Sequence, residues 1–174
     1  MIGRDDPGTA LPEGLIALLG VGSNMGDARQ HVLRAIEELD TIEDVRVMRA
    51  SPLYGSGAWG RTDQPDFVNA VAQIRTTLPP HRLLSAVKAL ERTHGRVPAE
   101  RWGPRPLDID ILLYGDYAVA EPYLQVPHPR MWDRAFVLRP LADLRPDQVG
   151  PGGRTVRERL TDPEVAGQKV WPLN

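Results

Sequence analysis

An α+β domain is the fold class this sequence predicts, and three observations carry that expectation. Short apolar runs of strand length alternate with amphipathic stretches of helix length along 174 residues, a length suited to one domain with a proper core. The order of those segments is strand, helix, strand, strand, helix, strand, which is the order of a split βαβ, ferredoxin-like sandwich with an antiparallel sheet. Beyond the last strand a proline-rich stretch and a further helical pattern follow, and these are expected as C-terminal additions.

Residues 15–21 form a short apolar run, read as a buried strand, that ends in Gly22, Ser23, Asn24, Met25 and Gly26. Asp27 or Asn24 can cap the helix that follows. In that helix Ala28, Val32, Ala35, Ile36 and Leu39 make one stripe, with Arg34, Glu37 and Glu38 outside it. Residues 45–54 read as a second strand, stopped by Gly55, Ser56 and Gly57. A loop through Gly60 and Pro65 is long enough to be functional, and residues 67–74 form a third strand. Pro79 and Pro80 open a second helix with Leu83, Leu84, Val87, Leu90 and Glu91 near one face, and Gly95 ends it. A loop over 96–106 leads into a fourth strand. After a turn near Gly115 and Asp116 come a short strand pair, the run Val126, Pro127, His128, Pro129, and a helical segment within 130–144. From Gly150 onward the chain is expected to loosen. Residues 1–14, rich in Asp, Gly and Pro without an apolar core, read as a flexible leader, leaving 15–174 as the single domain.

Composition removes several classes of function. A formal charge of −2 gives the whole molecule no electrostatic reason to bind nucleic acid or an anionic membrane. Any affinity for phosphate must be local. The absence of cysteine excludes a disulfide framework, a thiol nucleophile and Cys-ligated zinc, and the cytoplasm is the expected compartment. No stretch of about 18 apolar residues could cross a bilayer. Lysine occurs only at 88 and 169, whereas Arg82, Arg92, Arg96, Arg101 and Arg105 gather ahead of one short acidic segment.

That segment is the most informative part of the chain. Arg101, Trp102, Gly103, Pro104, Arg105, Pro106, Leu107, Asp108, Ile109 and Asp110 join a cationic loop to a strand. Leu107, Ile109, Ile111 and Leu113 alternate with Asp108, Asp110 and Leu112 at the period of two expected of a strand. Asp108 and Asp110 therefore share a face, roughly 7 Å apart at Cα, within reach of divalent ions spaced about 4 Å apart. Aspartate is a poor strand former and like charges on one face repel, a repulsion Mg²⁺ would remove. The competing reading is a solvated edge-strand face paired with nearby arginines. Gly20, Gly22 and Gly26 between a strand and a helix suggest a dinucleotide-binding turn, but the third glycine falls one position late and no acid ends the second strand. No Walker A lysine, G-x-S-x-G or H-E-x-x-H is present.

The run from Arg101 to Leu113 resembles the signature of the 6-hydroxymethyl-7,8-dihydropterin pyrophosphokinase family, enzymes of folate biosynthesis that pass pyrophosphate from ATP to a pterin alcohol. The turn of Gly22, Ser23 and Asn24 is similar to that family, as are the segment over 63–69, Gly95 with Arg96, and Val126 with Pro127 and His128. The resemblance spans about residues 15–144. It implies that Asp108 and Asp110 are the metal ligands, for two Mg²⁺ ions, and that ATP is the co-substrate. Arg96 and Arg105 are implied as catalytic phosphate contacts with the two aspartates, and Glu91, Arg101, Ile109, His128 and Arg134 as nucleotide-binding. For the pterin it implies stacking between Phe67 and Phe136, the only phenylalanines, with Asn69 reading the ring edge and Ser56, Gly57, Trp59 and Trp102 lining or closing the pocket. The expected partners are these small molecules alone, with no nucleic acid or membrane, and the expected state is a monomer. Three departures accompany the resemblance, the first being that Gly57 and Trp59 alter the pocket wall. The loop over 96–101 lacks a basic residue that some relatives place there, and Tyr123 stands where many have arginine; both bear on nucleotide affinity.

Overall fold

Which strands pair is decided by the edges each can offer. The computed structural model describes residues 14–58, 60, 62–98 and 103–174, so the expected leader lies outside them except for Gly14. Strand β1 (Leu15–Ser23) runs two residues beyond its apolar core, because Gly22 and Ser23 still pair with Asn69 and Val68. Helix α1 (Ala28–Leu39) is capped by Asp27, whose carboxylate accepts the Gln30 N–H at 3.0 Å, and it buries Val32, Ala35 and Leu39. Asn24, the alternative cap, is used elsewhere. The second strand is not continuous as expected but divides into β2 (Val45–Ala50) and β3 (Tyr54–Ser56). Pro52 has no N–H to offer, and Ser51 leaves the ladder to exchange bonds with Val71 through its N–H and its Oγ, both at 2.9 Å.

Strand β4 (Phe67–Thr76), helix α2 (Pro80–Thr93) and strand β5 (Asp108–Tyr114) complete the repeat. Gly95, at φ +86°, turns the chain out of α2 in the left-handed conformation that glycine adopts without a steric penalty. In the sheet β1 lies between β5 and β4, while β2 and β3 follow one another along the far edge of β4. These pairings are all antiparallel, so the ferredoxin-like expectation is met. Ala17, Leu19 and Val21 of β1 pack with Ile109 and Ile111 under α1 and α2. On the opposite face Leu18, Val71 and Leu112 pack with Leu138 and Leu141 of α3 (Ala135–Leu144). The sheet is thus covered on both faces, and the strand pair β6 (Val119–Glu121) and β7 (Leu124–Val126) stands apart as a hairpin.

The expectation that the chain loosens after Gly150 is wrong. Helices α4 (Val156–Arg159) and α5 (Pro163–Ala166) bury Val156 and Val165 in the second core. Strand β8 (Val170–Pro172) then pairs with β3 as the sixth strand of the sheet. Trp171 lies so close over Gly55 that a Cβ there has no room. Elements of three or four residues are too short to leave a legible hydrophobic period, and their stability comes from packing. Among the described residues no helix is long and apolar enough to cross a membrane.

Asp162 ties this C-terminal module together, accepting from Arg154 and, at 2.6 Å, from Arg159. The Arg154 and Arg159 hydrogen bonds hold its carboxyl below the usual range. A carboxyl depressed in the fold stabilises it above the unfolded value of about 3.9 and ceases to do so as pH falls through the folded value. Asp162→Asn is therefore expected to lower the urea midpoint equally between pH 8 and 5, with the gap from wild type narrowing below about pH 4. A gap that stays constant into the acid range would contradict the assignment.

Candidate active site

A cavity of roughly 250 Å³ opens on the α3 side of the sheet, where β1 carries glycine instead of a side chain. Gly22 pairs with Asn69 on one side and Asp108 on the other, and Gly20 with Val71 and Asp110. The glycines read in sequence as a dinucleotide turn are thus a bare floor between two walls. A Cβ on Gly22 would stand 3.2 Å from Asn69 Oδ1 and 3.9 Å from the Phe67 ring, so any larger residue would intrude on both.

One wall is aromatic and neutral. Phe67 and Asn69 project from β4, Phe136 comes from the first turn of α3, and Ser56 and Gly57 close the end of β3. The Asn69 Nδ2 donates to Ser56 Oγ at 2.9 Å within the protein, which fixes the amide. The Arg134 guanidinium lies 5.6 Å from the centre of the Phe136 ring.

The other wall is charged. Asp108 accepts from Arg96 at 2.6 Å and Arg105 at 2.9 Å. Arg96 also pairs with Glu91, a carboxylate only 2% exposed, which accepts from Lys88 and from the Ile109 N–H, each at 2.7 Å. Lys88 further donates to the Ile109 carbonyl at 3.1 Å. Asp110 is 38% exposed at its side chain and faces His128 Nε2 at 4.0 Å. The Arg130 N–H donates to His128 Nδ1 at 3.2 Å, which leaves the ring proton of a neutral imidazole on Nε2, the nitrogen facing Asp110.

The two aspartates differ in charge stability. Burial raises both, but at Asp108 the guanidiniums of Arg105 and Arg96 and the Lys88 ammonium outweigh it, so that carboxyl sits below the usual range. At Asp110 the surrounding protein, although it leaves 38% of the side chain exposed, and the Asp108 charge prevail over Lys88, His128 and Arg134, so its value is raised. Glu91 is raised by burial against the pull of Lys88, and burial lowers His128 despite Asp110 nearby. Asp110 is therefore the group with most to gain from a cation.

Loops on both sides of the cavity are tied to β1 by Asn24, which is 2% exposed. Its Nδ2 donates to Gln64 Oε1 at 2.9 Å and the Pro65 carbonyl at 3.1 Å, and its Oδ1 accepts the Arg105 N–H at 2.8 Å. Sequence reasoning placed Asn24 in a turn but assigned it no such task, because its partners are some 40 and 81 positions away.

Of the residues singled out in sequence, the fold brings Ser56, Gly57, Phe67, Asn69, Arg105, Asp108, Asp110, His128, Arg134 and Phe136 around this cavity. Arg96 reaches it through Asp108 and Glu91 through Arg96. The Ile109 side chain is fully buried in the α1 and α2 core, so its part in the site is played by its backbone. Trp59, Arg101 and Trp102 lie outside the described residues. Lys88, known from sequence only as a member of a basic stretch, joins Tyr123, Leu84, Ile111 and Leu124 in a second cleft of about 280 Å³ beyond Asp110 and His128.

Carboxylates interleaved with guanidiniums beside a flat aromatic slot are the equipment of a nucleotide-dependent group-transfer enzyme acting on a heterocycle. Residues 18–146 match the family model of 7,8-dihydro-6-hydroxymethylpterin-pyrophosphokinase, and the chain belongs to that family. It is 46% identical over 142 residues to the 2-amino-4-hydroxy-6-hydroxymethyldihydropteridine pyrophosphokinase of Pseudomonas aeruginosa, covering 82% of this chain and 88% of the relative. The enzyme of the same name from Methylorubrum extorquens is 44% identical over 151 residues, covering 87% of this chain and 95% of the relative. Among solved structures, an HPPK-DHPS crystallised in complex with substrates superposes at a TM-score of 0.69 with 14% identity, a likeness of fold. The match covers 84% of this chain and 43% of that one, so this chain spans less than half of the solved protein.

Asn24→Ala is expected to cost about 1–3 kcal/mol in urea unfolding, the penalty for stranding buried hydrogen-bonding groups. It should also speed hydrogen exchange at the Arg105 amide. Exchange there at the wild-type rate would refute the tether.

Proposed function

We propose that this chain transfers pyrophosphate from ATP to the hydroxymethyl group of 6-hydroxymethyl-7,8-dihydropterin, releasing AMP, as a step in folate biosynthesis. The observation that carries the reading is the glycine floor of β1, flanked by Asp108 and Asp110 on one side and by Asn69 and Phe67 on the other. A flat bicycle stacks between Phe67 and Phe136, and Asn69, its Nδ2 held by Ser56, presents its carbonyl oxygen to the ring's N–H edge. The triphosphate lies along the charged wall, held by Arg96, Arg105, His128 and Arg134. The cleft lined by Lys88, Leu84, Ile111 and Leu124 then takes the nucleoside end.

The hydroxymethyl oxygen forms a bond to the β-phosphorus as the bond from that phosphorus to the α,β-bridging oxygen breaks; the bridging oxygen leaves with AMP and the hydroxyl proton is released to solvent. Positioning supplies much of the acceleration of such a loose transfer. Arg96 and Arg105 offset charge as it grows on the leaving oxygen. Glu91 acts indirectly, by orienting Lys88 and Arg96. The donor set around Asp108 and Asp110 fits Mg²⁺. Among the described residues no group of three or more His, Cys, Asp or Glu could hold a metal, and Mg²⁺ binds through one or two carboxylates completed by substrate phosphates. Two such ions, held by Asp108 and Asp110, would supply charge neutralisation along the phosphate chain. On this reading residues 15–174 are one domain acting as a monomer.

With ATP, Mg²⁺ and the reduced pterin alcohol the protein is expected to produce AMP; production of ADP would exclude pyrophosphoryl transfer. Chelation of the metal should stop turnover. Asp110→Asn is expected to lower turnover by at least about a hundredfold, corresponding to several kcal/mol of lost charge stabilisation. Because a carboxyl raised in the fold opposes folding once ionised, the same variant should be at least as stable as wild type at pH 7. Full activity of Asp110→Asn with Mg²⁺ would remove the metal role.

A further inference from the structure

Both peptide groups that flank Arg134 are held by one side chain from the far end of the chain. Gln168 Nε2 donates to the Asp133 carbonyl at 2.7 Å, and Gln168 Oε1 accepts the Ala135 N–H at 2.9 Å. The first bond orients the peptide plane before Arg134 and the second orients the plane after it. Peptide planes are rigid, so the two bonds together hold φ and ψ of Arg134 at −118° and 108°. The bond to Ala135 also satisfies the first orphan N–H of α3, which has no side-chain cap from Arg134 itself.

Gln168 is well placed to exert this hold. Its own N–H donates to the Val165 carbonyl at 3.1 Å and its Nε2 also reaches the Glu164 carbonyl at 3.0 Å, which anchors it to α5. Arg159 secures the preceding residues, donating to the Trp132 carbonyl at 2.8 Å and the Asp133 carboxylate at 2.9 Å. Arg159 and Gln168 lie beyond the 18–146 that the family model covers, yet their bonds converge on a residue that lines the cavity. A clasp that merely stapled the module down could bond any surface carbonyl. This one brackets a single residue, and that residue lines the cavity together with Asp110.

We propose that Gln168 is a positioning residue for the transfer reaction: its carboxamide locks the Arg134 backbone so that the guanidinium meets the triphosphate already oriented. The inference rests on the triphosphate role proposed above for Arg134. A long side chain on a fixed backbone loses less freedom on binding than one on a mobile loop, and misplacement of a contacting group by an ångström costs about a hundredfold in rate.

The test is a double-mutant cycle on the whole chain, with kcat/KM for ATP as readout. Gln168→Ala removes both bonds, and Gln168→Glu keeps the acceptor and the shape but turns an anion onto the Asp133 and Glu164 carbonyls. Each is expected to lose about tenfold in kcat/KM for ATP when Arg134 is present. In an Arg134→Ala background the same changes should cost less than roughly twofold, because coupled residues are non-additive. If Gln168→Ala does not fold, the isosteric Gln168→Glu carries the comparison. Equal losses in both backgrounds, or wild-type kinetics in the single variants, would overturn the inference. Wild-type kinetics in Arg134→Ala alone would instead show that the triphosphate role of Arg134 is at fault.

Discussion

Two carboxylates of like charge on one face of β5 are the constraint around which this site is arranged. The fold resolves half of the repulsion internally: Arg96 and Arg105 close on Asp108, which holds it ionised. It leaves the other half open, because Asp110 has His128 at 4.0 Å and no closer cationic partner in an ion pair among the described residues. A strand with both acids neutralised would be more stable and would have less reason to attract a cation. Buried beneath this arrangement, Glu91 joins α2, the arginine loop and the β5 backbone. Burying such a group is costly unless its hydrogen bonds are made, and here Lys88, Arg96 and the Ile109 N–H make them.

The glycines of β1 determine where that charge can act. Side chains at Gly20 and Gly22 would separate the acid wall from the aromatic wall, whereas their absence leaves one continuous cavity between Phe67 and Asn69 on one side and Asp110 on the other. Asn24, at the end of the same strand, ties down the loops that bear Gln64 and Arg105. Floor and hinges of the site are thus carried by one central strand, held on both sides by its neighbours in the sheet.

Opposite them, α3 brings Phe136 and the residue before the helix, Arg134. That wall is braced by the short elements after Gly150, through Gln168 and Arg159, while β8 braces the Ser56 side by extending the sheet at β3. The last two dozen residues therefore stand behind both ends of the aromatic pocket without entering it.

The strand, helix, strand, strand, helix, strand order was legible in the sequence, and so was the acid pair, whereas the other cavity residues were named through the family resemblance. Alternation and helical spacing record burial one element at a time, and charges two apart on a strand declare a shared face. The gap between β2 and β3, the folded C-terminal module and the long-range hydrogen bonds of Asn24 and Gln168 left no such trace. Each depends on partners far along the chain, or on segments too short to show a period. Local sequence determined which residues could carry this chemistry; only the packing of sheet against helices decided which of them meet, because contact between distant residues is a property of the assembled fold and not of any one element.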